Sequence, residues 1–159
     1  MKISAVQNIT VKEAREKAMQ WCSRREYCRR DMLDKIVSWG CTPAEARETV
    51  DFLVEQKFVD DRRYAEAFVK DKLRFNKWGR VKIACMLRMQ NIDKAIVADV
   101  LSAIDETGYN RVLTEELQKK YRTVRGNALE IKGKLYRFAA GRGFEPEIIN
   151  EAISKIVDS

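Results

Sequence analysis

The sequence predicts an all-α fold: three tandem three-helix repeats stacked into an elongated array, straight or curved. Three observations carry that expectation. Only two prolines and seven glycines punctuate 159 residues, too few turns for an all-β chain. Apolar residues recur at helical spacing, as in Tyr64, Ala65, Phe68, Val69 and Leu73, so each such segment has one apolar face. The stop signals themselves repeat: Gly40, Asn91 and Gly143 stand about fifty residues apart, the period of a repeat architecture. Each of these residues tolerates the left-handed conformation that ends a helix. An apolar residue follows each of them (Cys41, Ile92, Phe144), then Thr42, Asp93 or Glu145, the first two good caps and the third a poor one.

Residues 1–9 are read as a short arm, followed by repeats at 10–58, 59–107 and 108–159. In the first repeat, Thr10 and Glu13 form a capping-box pattern, in which each side chain satisfies the other's free N–H. The helix that follows spans about 10–26, and Ser23 and Glu26 could form a second box that ends it earlier. The next helix, near 29–39, turns Met32, Leu33, Ile36 and Trp39 inward, and Gly40 stops it. Thr42-Pro43-Ala44-Glu45 opens the third helix, near 43–57, with a cap, a proline at the first helical position and a glutamate three after the cap. The second repeat places helices near 61–75, 80–90 and 94–106, and the third near 109–123, 132–141 and 146–157. Each unit is too small to bury its own apolar stripe well, so neighbours are expected to stack.

Charge narrows the function. The formal net charge is +7 and the isoelectric point near 9.3, which favours an acidic partner, nucleic acid first. The cations gather in the first and second helices of the repeats, whereas the third helices are acidic, with Glu45, Glu48, Asp51 and Glu55 in the first copy. There is no histidine, which removes the commonest general base and metal ligand. Cys22, Cys28, Cys41 and Cys85 form no CxxC pair, so no zinc site is expected, and they read as buried small apolar residues. Asp60 and Asp61 read as helix caps rather than metal ligands. With no phosphate loop either, neither an enzyme nor a cofactor is expected. No signal-peptide pattern and no apolar run of membrane length is present, so a cytoplasmic location is expected.

At several motifs the chain resembles the RecX family, bacterial regulators of the RecA recombinase. The residues that carry the resemblance are Phe58-Val59-Asp60-Asp61-Arg62-Arg63-Tyr64-Ala65; Gly79-Arg80-Val81-Lys82-Ile83 with Leu87; Gly141-Arg142-Gly143-Phe144; and Cys28-Arg29-Arg30-Asp31-Met32 with Lys35, Ile36 and Gly40. It extends from about Ala14 to Ile156. Trp78 before Gly79, and Asn91 in place of the family's usual glycine, depart from the pattern. The resemblance implies tandem three-helix repeats and a non-enzymatic regulator. Such a protein binds RecA and its filament on single-stranded DNA, and inhibits filament extension, ATP hydrolysis and strand exchange. Contact with double-stranded DNA and a monomeric state are further expectations. A general DNA-binding protein built from three-helix units is the alternative.

The residues expected to meet DNA or filament are Lys70, Lys72, Arg74, Lys77, Trp78, Arg80, Lys82 and Arg88, with Lys132, Lys134, Arg137 and Arg142 from a second basic cluster. Basic side chains interleaved with aromatics suit a polyanion, because ammonium and guanidinium groups meet phosphates while rings stack on bases. Asp60, Asp61, Arg62, Arg63 and Tyr64 form the most specific motif, and Arg62 or Arg63 is expected to pair with Asp60 or with an acidic third helix.

Overall fold

The computed structural model of the chain describes residues 9–158. Among these, nine α-helices and one π-helical stretch account for the ordered elements. They are α1 Val11–Cys22, α2 Arg29–Ser38, α3 Pro43–Glu55, α4 Asp61–Asp71, the π-helical Lys72–Asn76, α5 Arg80–Met89, α6 Lys94–Ser102, α7 Glu106–Tyr121, α8 Ala128–Gly141 and α9 Pro146–Val157. The expected arm, apart from Ile9, lies outside the described residues.

The repeat grammar has a direct physical cause. Gly40, Asn91 and Gly143 have φ of 106°, 60° and 90°, so each ends its helix in the positive-φ region that excludes most side chains. The Thr42–Glu45 box is complete in both directions, at 3.2 Å for the Glu45 N–H on the Thr42 hydroxyl and 2.9 Å for the return bond. Those bonds hold the Glu45 carboxyl below its ordinary pKa.

Several expectations needed correction. Ser23 and Glu26 form no box: α1 stops at Cys22, the Ser23 hydroxyl donates to the Gln20 carbonyl, and Glu26 pairs with Arg63 instead. The helix expected at 109–123 starts earlier, because Asp105 caps it by accepting the Gly108 N–H at 2.8 Å. The helix expected at 132–141 likewise starts at Ala128, capped by Asn127. The helix expected through residue 75 changes to π hydrogen bonding at Lys72. Cys28 and Cys41 are buried as expected, but Cys22 is only half-buried and Cys85 is exposed, since it falls on the outward face of α5.

The chain packs as two compact units. The first comprises residues up to Ala67 together with Gln90–Ile92. Its core joins Ala14 and Ala18 of α1, Met32 and Ile36 of α2, and Ala46, Val50 and Leu53 of α3, closed by Tyr27, Cys41 and Val59. The second comprises Phe68–Met89 and the chain from Asp93 onward. Its main core is Tyr109, Leu113 and Leu117 of α7, Leu135 and Ala139 of α8, Phe144, and Ile149 and Ile153 of α9. Buried aliphatics of this size contribute about 1.5–3 kcal/mol each, which the short helices could not supply alone.

The Asp60–Tyr64 motif belongs to the first unit and knots it together. Asp60 caps α4, accepting the Arg63 N–H at 3.0 Å. Asp61 reaches to the start of α2 and accepts the Arg29 N–H at 2.8 Å. Arg63 donates to Glu26 at 2.7 Å and also to the carbonyls of Lys57 and Phe58 at 3.1–3.2 Å, groups left without helical partners beyond α3. The hydrogen bond to Glu26 raises the Arg63 pKa further. Tyr64 is buried, and Arg62 is exposed.

Candidate nucleic-acid interface

The second unit holds both basic clusters of the sequence and brings the end of the second, at Arg142, against the first. They meet where two glycine motifs pack together. The Gly79 N–H donates to the Arg142 carbonyl at 2.8 Å, and the Val81 N–H donates to the Gly143 carbonyl at 2.9 Å. A Cβ on Gly79 would collide with the Gly143 carbonyl, and one on Gly143 would collide with the backbone of Lys82. The start of α5 therefore lies directly on the turn between α8 and α9, and only glycine permits the approach.

Cations and rings alternate around this contact. The Trp78 ring has the Lys72 ammonium 5.0 Å from its centroid and the Lys82 ammonium 4.5 Å from it. The Phe138 ring has the Arg142 guanidinium at 4.9 Å and the Lys120 ammonium at 5.5 Å. Arg142 also donates to the carbonyl of Asn76 at 3.2 Å, which ties the π-helical stretch to the α8–α9 turn. That stretch ends at Lys77, whose φ of 56° reverses the chain. Arg74, Phe75 and Asn76 are exposed on it, and no carboxylate occurs from Lys72 to Lys82. Such a ridge can bind phosphates through its cations, with its ring-bound ammonium groups held in place at small entropic cost.

The other expected contact residues fall into distinct environments. Lys70 and Arg88 are exposed on α4 and α5 of the same unit, and Arg137 is exposed on α8. Lys132 pairs with Asp158 at 2.9 Å, and Lys134 donates to the Arg125 carbonyl at 2.6 Å. Trp78 is half-buried, its ring flanked by lysines.

Arg80 is placed differently from its neighbours. Its side chain is only 16% exposed, with Nη1 2.8 Å from Glu145 and Nη2 2.5 Å from Glu106. Its guanidinium lies 4.0 Å from the Tyr109 ring centroid, and its backbone N–H donates to the Tyr109 hydroxyl at 2.9 Å. The Tyr109 hydroxyl in turn donates to Glu145. Burial opposes the charge on Arg80, but the Glu145 bond and the two carboxylates outweigh it and raise the pKa. Burial, then the bond to Glu145, raises the Tyr109 phenol as well. Glu145 stands at the N-cap of α9 without making a cap bond, because its carboxylate serves this cluster. Spacing alone could not separate Arg80 from Lys82, since the partners come from α7 and α9. Phe75, inside the same basic run, is exposed with the Arg74 guanidinium beside its ring.

These features define a class: an all-helical protein of tandem three-helix domains with a cationic, ring-bearing ridge. Residues 14–53 match the first three-helix domain of RecX, 60–101 the second and 110–153 the third. The regulatory protein RecX of Clostridium botulinum (strain Eklund 17B / Type B) is 29% identical over 161 residues, spanning 99% of this chain and 74% of the relative. That of Chlorobium phaeobacteroides (strain BS1) is 28% identical over 148 residues, spanning 93% and 96%. The crystal structure of RecX from Lactobacillus salivarius shares the fold, with a TM-score of 0.77 at 21% identity over 92% of this chain and 96% of that one. The chain belongs to the RecX family of regulatory proteins.

Proposed function

We propose that the protein docks on a RecA filament assembled on single-stranded DNA and stops its extension, lowering ATP hydrolysis and strand exchange. It acts by binding alone, as a monomer in the cytoplasm. The observation that supports this reading most directly is the convergence of Lys72, Arg74, Lys77, Lys82 and Arg142 on one ridge, joined by the Arg142–Asn76 bond, in a chain of the RecX family. A continuous cationic surface meets a phosphate backbone with several simultaneous contacts. Repeated modest contacts to a filament then add up through avidity. Lys70, Arg88, Lys132, Lys134 and Arg137 extend the contact set, with Lys132 and Lys134 giving up their internal partners on binding. Trp78 supports the ridge from beneath its two lysines. Arg80 contributes by holding the start of α5 in place.

RecA ATP hydrolysis on single-stranded DNA tests this. Substoichiometric protein is expected to lower the rate progressively. An unchanged rate at equimolar protein would defeat the proposal, and tight binding to bare DNA with no response to RecA would favour a general DNA-binding protein.

A further inference from the structure

We infer that Phe75 is the residue that stacks on a base of single-stranded DNA; this rests on the proposed contact between the ridge and DNA and deepens it. Phe75 is 69% exposed, more than any other aromatic side chain among the described residues. Trp78, the ring the sequence first suggests, is half-buried with a lysine ammonium at 5.0 Å and another at 4.5 Å from its centroid. A base would have to displace those cations to reach it. Phe75 has a single cation beside its ring, Arg74, and is otherwise open to solvent.

The backbone explains why the ring projects. The run Lys72–Asn76 adopts π hydrogen bonding, and Lys77 then turns the chain at φ 56°. π-Helical stretches insert a residue relative to the α-helical register and recur at functional sites. Here Leu73 still packs on the core of the second unit, while Phe75, two residues later, is left outside.

The surroundings indicate the occupant. Arg74 places its guanidinium 5.2 Å from the Phe75 centroid. Lys72, Lys77 and Lys82 complete a segment that holds no acid. A ring at the crest of a cationic segment complements a chain that carries phosphates and flat bases together. Stacking of this kind tolerates any sequence, because every base has a π-face.

Fluorescence anisotropy with a labelled thymidine oligonucleotide, and with the same strand carrying abasic sites, tests the assignment. Phe75→Ala should weaken binding to the thymidine strand by about 5- to 150-fold and leave the slope of log K on log salt unchanged. On the abasic strand the variant and the unsubstituted protein should bind alike. Phe75→Trp should restore binding, with fluorescence quenched on the base-bearing strand only. Equal weakening on both strands, or no weakening on either, would overturn the assignment while leaving the ridge–DNA contact standing. Loss confined to recombinase-coated strands would also overturn it, and would place Phe75 in a protein pocket. An unsubstituted protein that fails to bind either strand would overturn both the assignment and the DNA contact beneath it.

Discussion

Replacing Arg80 by alanine separates structure from binding within one basic run. The guanidinium is 16% exposed and its partner Glu145 24% exposed, whereas Glu106 is 68% exposed. The Glu106 arm is close to a surface ion pair, worth about 0–1 kcal/mol. The Glu145 arm is mostly shielded, and removing one member of such a pair strands the other; breaking buried pairs costs about 3–5 kcal/mol. Partial solvent access places Arg80→Ala near the lower bound, at about 3 kcal/mol of lost stability. Glu106→Gln should cost less than about 1 kcal/mol. Urea unfolding followed by far-UV circular dichroism reads both. DNA binding by the folded fraction of Arg80→Ala should keep the unsubstituted salt slope, because the Arg80 guanidinium is already engaged by Glu106 and Glu145. The reasoning is refuted if the variant unfolds within about 0.5 kcal/mol of the parent, or if its salt slope falls by about 0.7, the signature of a lost phosphate contact on a single strand.

Other outcomes follow from the same packing. Gly143→Ala should destabilise the protein by about 1–3 kcal/mol or more, since φ is 90° there and the added methyl meets the backbone of Lys82; an unfolding midpoint unchanged in urea would contradict this. Burial pushes the Cys28 thiol up from 9.0 to about 12 and the Tyr64 phenol from 10.0 to about 12. Below pH 9 both groups are protonated folded or unfolded, so their contribution is complete. Between pH 9 and 12 the unfolded chain releases protons that the folded chain retains, so stability should fall as pH rises through that window. Tyr64→Phe should flatten the fall, and parallel curves would contradict the assignment. Thiol labelling under native conditions should modify Cys85 first, with Cys28 and Cys41 reacting only on unfolding; rapid labelling of Cys28 would show that the first unit opens readily.

How far the sequence reached depends on whether the determining forces were local. Gly40, Asn91 and Gly143 announced their left-handed turns because few other residues adopt φ of 106°, 60° or 90°. Thr42-Pro43 fixed the start of α3 through bonds that close within three residues. The period of these signals exposed the three-helix units before any packing was known. The errors came where distant residues decide. Glu26 looked like a cap until Arg63 claimed it, 37 positions away. Glu145 is the poor cap its residue type predicts, but its partners Arg80 and Tyr109, on other helices, had no local signal. The helix expected from residue 109 begins at Glu106, because the Asp105 carboxylate accepts the Gly108 N–H. For the candidate interface, the charges of the Lys70–Arg88 run were plain, but which of them turn inward was not. The π-helical register that throws Phe75 outward has no signature of its own in the residues Lys72–Asn76.

Inhibition by a charge-reversed ridge is the most direct test. Arg74→Glu, Lys77→Glu and Lys82→Glu combined replace cations of the second unit and leave the Arg80–Glu145 cluster intact. Titrated into RecA assembled on single-stranded DNA, the triple variant is expected to fold as the parent does, to lose binding to the coated strand, and to leave ATP hydrolysis unslowed. A triple variant that still binds the coated strand and slows hydrolysis like the parent would contradict the account, because the filament would then be gripped by some other surface.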